Sequence, residues 1–393
     1  MGASRLSNDG RPVQRVAVVT GSRAEYGLLR PVMHEIKRSG LELRVVVAGM
    51  HLLPEHGDTA REIEADGYEV SARVPMSAET DEPAAMAGAI SKGIAGLSDA
   101  FEAIDPDVVL ILGDRVEAFA AAIAAAAGNR ALAHLHGGEV TRGGLDESMR
   151  HAITKLAHLH FAATEASRRR IIQMGEAADR VFLVGAPGLD AARTGRRLST
   201  AELEKRLGAP ISRPLVVLVQ HPVTTRAGDA ADELRETLEA IGMSSPRTIC
   251  LYPNSDAGGR RMIQVLESFR DQPWLTAIPN LEHDAYLTLL GMADVLVGNT
   301  SSGIIEAPYF HLPVVNVGER QAGRERGDNV IDVAAHRDEI ARGLDTALRD
   351  RAFRERAARG ASPYGDGHAS EAIVAVLRET LVGPLLIQKQ FAD

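Results

Sequence analysis

Three short blocks of the sequence gather carboxylates, histidines and arginines: Leu112-Gly113-Asp114-Arg115, His134-Leu135-His136-Gly137-Gly138-Glu139 and Asp146-Glu147-Ser148-Met149-Arg150-His151. The first two directly follow apolar runs and the third opens a helical stretch, so all three fall at element ends. Crowded or desolvated carboxylates have raised pKa values, which suits Asp114, Glu139 and Asp146 to general acid/base work. A plainer reading stands beside it: Asp146 with Arg150 and Glu147 with His151 are i,i+4 pairs that would simply support a helix. His134 and His136 share one strand face, but no H-E-x-x-H or cysteine spacing accompanies them, so no metal is expected.

Other blocks suit anions. The turn Thr20-Gly21-Ser22-Arg23-Ala24-Glu25-Tyr26-Gly27 opens a helix whose N–H groups could receive a phosphate, and Arg23 adds a planar cationic donor. It lacks the G-x-G-x-x-G spacing, so no NAD or FAD is inferred, and a plain surface arginine is the alternative. Gly298-Asn299-Thr300-Ser301-Ser302-Gly303-Ile304-Ile305-Glu306 is not a Walker loop, because Ile304 and Ile305 stand where Lys and Ser/Thr are required. Ser301, Ser302 and Gly303 at a helix start still offer donors to a diphosphate, or serve as an ordinary cap. Glu306, one turn further, could accept from both ribose hydroxyls. His221, in Val219-Gln220-His221-Pro222-Val223, sits at another strand end, where a lone histidine is as often structural.

Such residues need a sheet to hold them. From Arg15 onward, β-branched runs alternate with helical stretches, the pattern of a parallel sheet with crossover helices. Strands are expected at 16–20, 43–48, 108–112, 131–136 and 181–184, with helices near 26–37, 86–103, 116–127 and 148–157. The alternation restarts after the Pro-bearing stretch Leu207 to Pro214, with strands at 215–219, 248–251, 276–278, 295–297 and 314–316. Helices follow near 232–241, 259–269, 285–292 and 337–348. The expected organisation is a flexible start at 1–14, a first Rossmann-like domain at 15–207, a linker at 208–214 and a second domain at 215–383, its last helix able to pack back on the first. In open α/β sheets ligands bind beyond the carboxyl ends of the strands, where the marked residues lie. A cleft between two such domains is the default binding site.

Bulk properties narrow the class. The 393 residues suit two domains, and 45% hydrophobic, 25% charged and 4% aromatic residues describe an ordinary globular protein. A net charge of −9 argues against nucleic acid as a partner. The short basic run Arg168-Arg169-Arg170 suits a solvated helix face. Cys250, the single cysteine, cannot form an internal disulfide and fits a reducing compartment. The polar start is no signal peptide, and the apolar run Ala118 to Ala127 falls well short of the ~20 residues that span a bilayer, so no membrane partner is expected.

Taken together, the blocks Thr20 to Leu29, His136-Gly137-Gly138-Glu139, Arg150 to Lys155, Tyr252 to Gly258, Gly298 to Gly303 and Gly318 to Arg324 resemble the UDP-N-acetylglucosamine 2-epimerase family, in particular its hydrolysing branch that feeds sialic-acid-type synthesis. The likeness runs from Val16 to Leu381. It implies two Rossmann-like domains facing across a cleft, as in glycosyltransferase-B-type enzymes, a cytoplasmic homodimer or homotetramer, and no metal or nicotinamide cofactor. It also implies that Arg23, Asn254, Asp256, Ser301, Ser302, Gly303 and Glu306 hold the nucleotide. Asp114, Glu139, Asp146 and His221 would surround the reacting sugar, with His136, Glu147, Arg320 and Arg324 as further contacts. Many family members carry glutamate where this chain has His136. The base could be Glu139, or its role could pass partly to His136; removal of a carbon-bound proton favours the carboxylate.

The implied reaction converts UDP-N-acetylglucosamine and water to N-acetylmannosamine and UDP by elimination and hydration through a 2-acetamidoglucal. A rival is the same chemistry on a UDP- or GDP-linked 2,4-diacetamido-6-deoxy sugar, on the way to a legionaminic-type acid. A glycosyltransferase and a non-catalytic nucleotide-sugar sensor are remoter alternatives, the first separable by product analysis without an acceptor and the second by single turnover.

Overall fold

The computed structural model describes residues 10–53, 59–76, 83–140, 145–223, 226–254 and 258–392. The chain divides into two compact units, one built from the segments up to Asp190 and from Tyr364 onward, the other from Ala191–Pro363.

The first unit holds seven parallel strands: β1 (Arg15–Thr20), β2 (Glu42–Ala48), β3 (Val70–Val74), β4 (Val108–Leu112), β5 (Ala131–Leu135), β6 (Leu159–Ala162) and β7 (Val181–Leu183), in the order β3-β2-β1-β4-β5-β6-β7. Strand side chains alternate between two cores, as the period of two requires. Val16 and Val18 join Leu29, Val32 and Met33 of the helix Arg23–Arg38, whereas Ala17 and Val19 join Leu97 and Phe101 of the helix Pro83–Ile104. With both faces covered, β4 and β5 are buried along their whole length; β4 reads as an unbroken apolar run, and β5 as one interrupted only by His134.

The second unit repeats the plan with β8 (Leu215–Val219), β9 (Arg247–Leu251), β10 (Leu275–Ile278), β11 (Val295–Gly298), β12 (Val314–Val317) and β13 (Val330–Val333), in the order β10-β9-β8-β11-β12-β13, again all parallel. Val216 and Leu218 face one core, Leu215, Val217 and Val219 the other. In each unit the winding reverses beside the first strand, between β1 and β4 and between β8 and β11. Those reversal points are where open α/β sheets leave a crevice for ligands.

The domain boundaries differ from the sequence-based expectation. The stretch 208–214 is not the linker: the capped helix Thr200–Leu207 before it contributes Leu203 and Leu207 to the same core as Leu215 and Val217. The second unit therefore begins near Ala191, and it ends at Pro363 because the helix Ala369–Glu379 packs Ile373, Val374 and Leu377 into the first core. Residues 10–14 are not a loose start either. Arg11–Pro12 pairs antiparallel with Leu381–Val382, and Val13 is buried. The strands β3, β6 and β13 have no counterpart in the sequence-based expectation. Among the described residues, no helix is long and apolar enough to cross a membrane.

Candidate active site

At the end of β1, Ser22 caps the helix Arg23–Arg38, its side chain accepting from the Glu25 N–H. The Gly21 N–H, one of the donors expected to meet a phosphate, instead donates to Glu25 Oε2 at 2.6 Å. The helix start thus already holds a carboxyl group of its own. Burial, with the neighbouring Glu117 carboxylate adding to it, pushes the Glu25 carboxyl up to about 7. Glu117 is itself buried and pairs with Arg115 at 3.3 Å. Arg23 points its Nε to Glu62 at 3.0 Å, both side chains nearly half exposed. An exposed pair of this kind is worth only about 0–1 kcal/mol, so Arg23 can exchange this partner at little cost.

The ends of β4 and β5 are tied together by a residue that the sequence pairs only with its helical neighbour Asp146. Arg150, buried within the helix Leu145–Leu156, ion-pairs with Asp114 through Nη2 and donates from Nη1 to the Glu139 carbonyl at 2.8 Å. A planar guanidinium presents several donors at fixed angles and so holds both groups at once. Glu139 is 8% exposed, and its Oε1 lies 2.5 Å from His136 Nδ1. The turn between them needs Gly138: φ is +73°, and a Cβ there would stand 2.4 Å from the Ser167 carbonyl oxygen. Behind the turn, the fully buried His134 lies with Nε2 2.8 Å from the Gly113 carbonyl oxygen. Burial holds its pKa down at about 3, so the ring is neutral and donates.

The structure therefore brings Asp114, His136 and Glu139 together around Arg150. Asp146 is exposed in the first turn of the same helix and interacts electrostatically with Arg115. Glu147 stands 3.7 Å from His151, as the i,i+4 spacing suggests. The same spacing links Arg150 with Asp146, which hides its longer-range contacts to β4 and β5.

In the second unit β8 and β11 end side by side. Gly298 has φ +124°, and a Cβ there would come within 2.1 Å of the Val219 carbonyl oxygen, so only glycine lets the strand ends approach this closely. The approach allows a reciprocal pair: the His221 N–H donates to Asn299 Oδ1 at 2.7 Å, and Asn299 Nδ2 donates to the His221 carbonyl at 2.9 Å. His221 Nδ1 accepts from the Asn254 N–H at 3.1 Å, which leaves the proton of the neutral ring on Nε2. The Asn299 carbonyl accepts from Arg320 Nη1 at 3.1 Å and from Gln321 Nε2 at 2.9 Å. Arg324 is half-buried a few residues on. Buried Asn299, part of the Gly298–Glu306 block but given no role there, thus joins three of the expected segments.

The expected helix start at Ser301 is a correction. Ser301–Gly303 forms a single 3-10 turn, and Ala307–Phe310 forms another. Gly303 is a poor helix former, and Pro308 has no N–H to donate back along an α-helix. No long macrodipole stands here. The donors are local: Thr300 Oγ1 accepts from the Ser302 N–H at 3.3 Å, and Ser301 and Ser302 stay half-buried. Glu306 is buried close to Tyr286, whose phenol is pushed up by burial and also by that carboxylate. Asp256 lies outside the described residues.

Two doubly wound parallel α/β units with acids at the strand ends of one, and amides and hydroxyls at those of the other, define an α/β enzyme of the two-Rossmann type. The profile of the family described as UDP-N-acetylglucosamine 2-epimerase matches residues 34–378, and the chain belongs to that family. A Legionella pneumophila protein named UDP-N,N'-diacetylbacillosamine 2-epimerase (hydrolyzing) is 40% identical over 367 residues, 93% of this chain and 96% of its own. A Neisseria meningitidis protein named UDP-N-acetylglucosamine 2-epimerase is 34% identical over 320 residues, covering 81% and 83%. The fold is shared with the crystal structure of UDP-GlcNAc 2-epimerase from Neisseria meningitidis bound to UDP-GlcNAc, at a TM-score of 0.80 and 19% identity over 93% of this chain and 100% of that one.

Proposed function

We propose that this chain hydrolyses UDP-2,4-diacetamido-2,4,6-trideoxy-glucose (UDP-N,N'-diacetylbacillosamine) with inversion at carbon 2. The chemistry is carried by one observation: the buried Glu139 carboxylate, 2.5 Å from His136, on a residue whose backbone carbonyl Arg150 ties to Asp114. Glu139 takes the proton from carbon 2, and the freed electron pair forms the carbon 1–carbon 2 double bond as UDP leaves with the carbon 1–oxygen pair. Water then adds its hydroxyl to carbon 1, an acid, Asp114, Asp146 or His221, gives a proton to the opposite face of carbon 2 and is restored by the proton the water leaves, and Glu139 releases its own to solvent. In this reading His136, Glu147, Arg320 and Arg324 touch the sugar or its leaving group. Arg23, Ser301, Ser302 and Gly303 steady the departing diphosphate, and Glu306, Asn254 and Asp256 hold the nucleoside. A homodimer or homotetramer working in the cytoplasm belongs to the same proposal.

The choice of sugar rests on the Legionella enzyme being nearer in sequence than the Neisseria one. The latter supports a second reading, UDP-N-acetylglucosamine. Both nucleotide sugars, incubated with the protein in deuterated and in oxygen-18 water and followed by mass analysis, test it. Free sugar with one deuteron on carbon 2 and solvent oxygen on carbon 1 is expected, formed faster from the diacetamido substrate. Product that keeps its carbon 2 hydrogen would rule out the mechanism; faster turnover of UDP-N-acetylglucosamine would reverse the choice of sugar.

A further inference from the structure

The segment after the last long helix returns to the first unit and ends against the helix that carries Arg150. Lys389 delivers its ammonium to the final carbonyls of Leu145–Leu156 and the residue beyond: Nζ donates to Lys155 O at 2.8 Å and Ala157 O at 2.5 Å, with Thr154 O at 3.4 Å. The last carbonyls of a helix have no partners within it and form the negative end of its dipole, so a cation is well placed there. The same ammonium stands 2.6 Å from Glu176 Oε2. Glu176, 2% exposed, also accepts from Lys155 Nζ at 2.7 Å and faces His160 Nε2 at 3.0 Å. Burial alone would push this carboxyl up, but the hydrogen bonds from His160, Lys155 and Lys389 outweigh it and bring it to about 2.

The segment is fixed on both sides of Lys389. Leu386 lies in the core and its carbonyl accepts from Arg180 at 2.9 Å, while the Ala392 N–H donates to the Gly175 carbonyl at 3.0 Å. Toward the other end of the helix, Thr154 Oγ1 donates to the Arg150 carbonyl at 3.0 Å, and the Arg150 guanidinium grips Asp114 and the Glu139 backbone. A run of hydrogen bonds through Thr154 and Arg150 thus joins Lys389 to the Asp114 carboxylate and the Glu139 backbone.

We propose that Lys389 is a positioning residue for the reaction: by clamping the end of the helix Leu145–Leu156, it sets the register of Arg150 and hence of Asp114 and Glu139. The inference rests on the functional reading above. Without the clamp the last helical turn frays, Arg150 shifts, and the carboxylates leave their reactive geometry while the second unit is untouched.

The test compares the whole chain with Lys389→Ala and Lys389→Arg. It measures kcat and KM for UDP release, UDP affinity by calorimetry, and hydrogen exchange of peptides covering residues 145–157. Lys389→Ala should lower kcat about tenfold, since small misplacements of catalytic groups are costly, and speed exchange in the helix. UDP affinity should stay unchanged, and Lys389→Arg, which keeps a cation at the carbonyls, should recover most of the activity. If Lys389→Ala does not fold, Lys389→Gln, which keeps most of the stem and a hydrogen-bonding end, carries the same measurements. An unchanged kcat would overturn the proposal even if the melting temperature fell, and so would unchanged exchange in the helix. A wild-type chain that turns over neither sugar would instead sink the functional reading, a result distinct from equal activity among the variants.

Discussion

The two units wind their sheets alike and furnish them differently. At the reversal point of the first, charged groups dominate: Glu25, Glu117 and Arg115 beneath the β1 turn, and Asp114, Glu139, His136 and Arg150 beside it. At the matching point of the second, an amide is the hub: Asn299 bonds to His221 and receives Arg320 and Gln321 on its carbonyl. Topology decides where a ligand can meet the strand ends. The side chains decide what happens to it: titratable groups move protons, whereas amides and hydroxyls hold a fixed set of donors at every pH.

If that division is right, changes at the first unit's acid and base groups should strike turnover and spare nucleotide binding. Glu139→Gln, nearly isosteric, should lose turnover by on the order of 100-fold or more, the scale of general acid/base catalysis, with UDP affinity kept. His136→Asn should cost less, because it removes a partner of the carboxylate and leaves the carboxylate itself. The reverse order, measured as kcat on the preferred sugar, would move the base to His136.

A second test concerns pH. The Glu25 carboxyl, raised from 4.5 to about 7 in the folded protein, keeps a proton that the unfolded chain releases between those values. Stability should therefore fall as pH rises through this window, with the full cost present above about pH 7. Glu25→Gln removes the titration, so it should gain up to roughly 3 kcal/mol on the wild type between pH 5 and pH 8. Parallel melting curves across that range would show that Glu25 does not titrate there.

The smallest effects belong to the donors proposed for the diphosphate, Ser302 in the second unit and Arg23 in the first. Ser302→Ala removes one donor and should weaken UDP about tenfold, the worth of a charge-assisted hydrogen bond, without changing deuterium incorporation at carbon 2. Arg23→Ala should weaken it by a similar factor or less, since Glu62 already shares that guanidinium. Intact UDP affinity in both variants would place the diphosphate elsewhere.

Much of this was legible in the sequence because strands covered on both faces are unbroken apolar runs. Half-covered edges escaped: β3 contains Ser71 and Arg73, and β13 has no fully buried residue. β6 escaped for another reason, since it has only four residues and one of them is the buried His160, which distant Glu176 satisfies. The candidate residues were visible by type, but their partners were not. Arg150 could be paired by spacing only with Asp146, four residues away, whereas its contacts to Asp114 and Glu139 depend on the order of β4, β5 and β6.

The first unit is assembled from two stretches of chain separated by the whole of the second, and this bears on how the molecule is made. A ribosome that has released Pro363 has delivered everything the second unit needs. The first core at that moment still lacks Ile373, Val374, Leu377 and Leu386, and its Arg11–Pro12 strand has no partner. Vectorial synthesis therefore finishes the later-encoded unit first, and the half that bears the carboxylates waits, with its apolar helix face uncovered, for the segment beyond Pro363 to emerge.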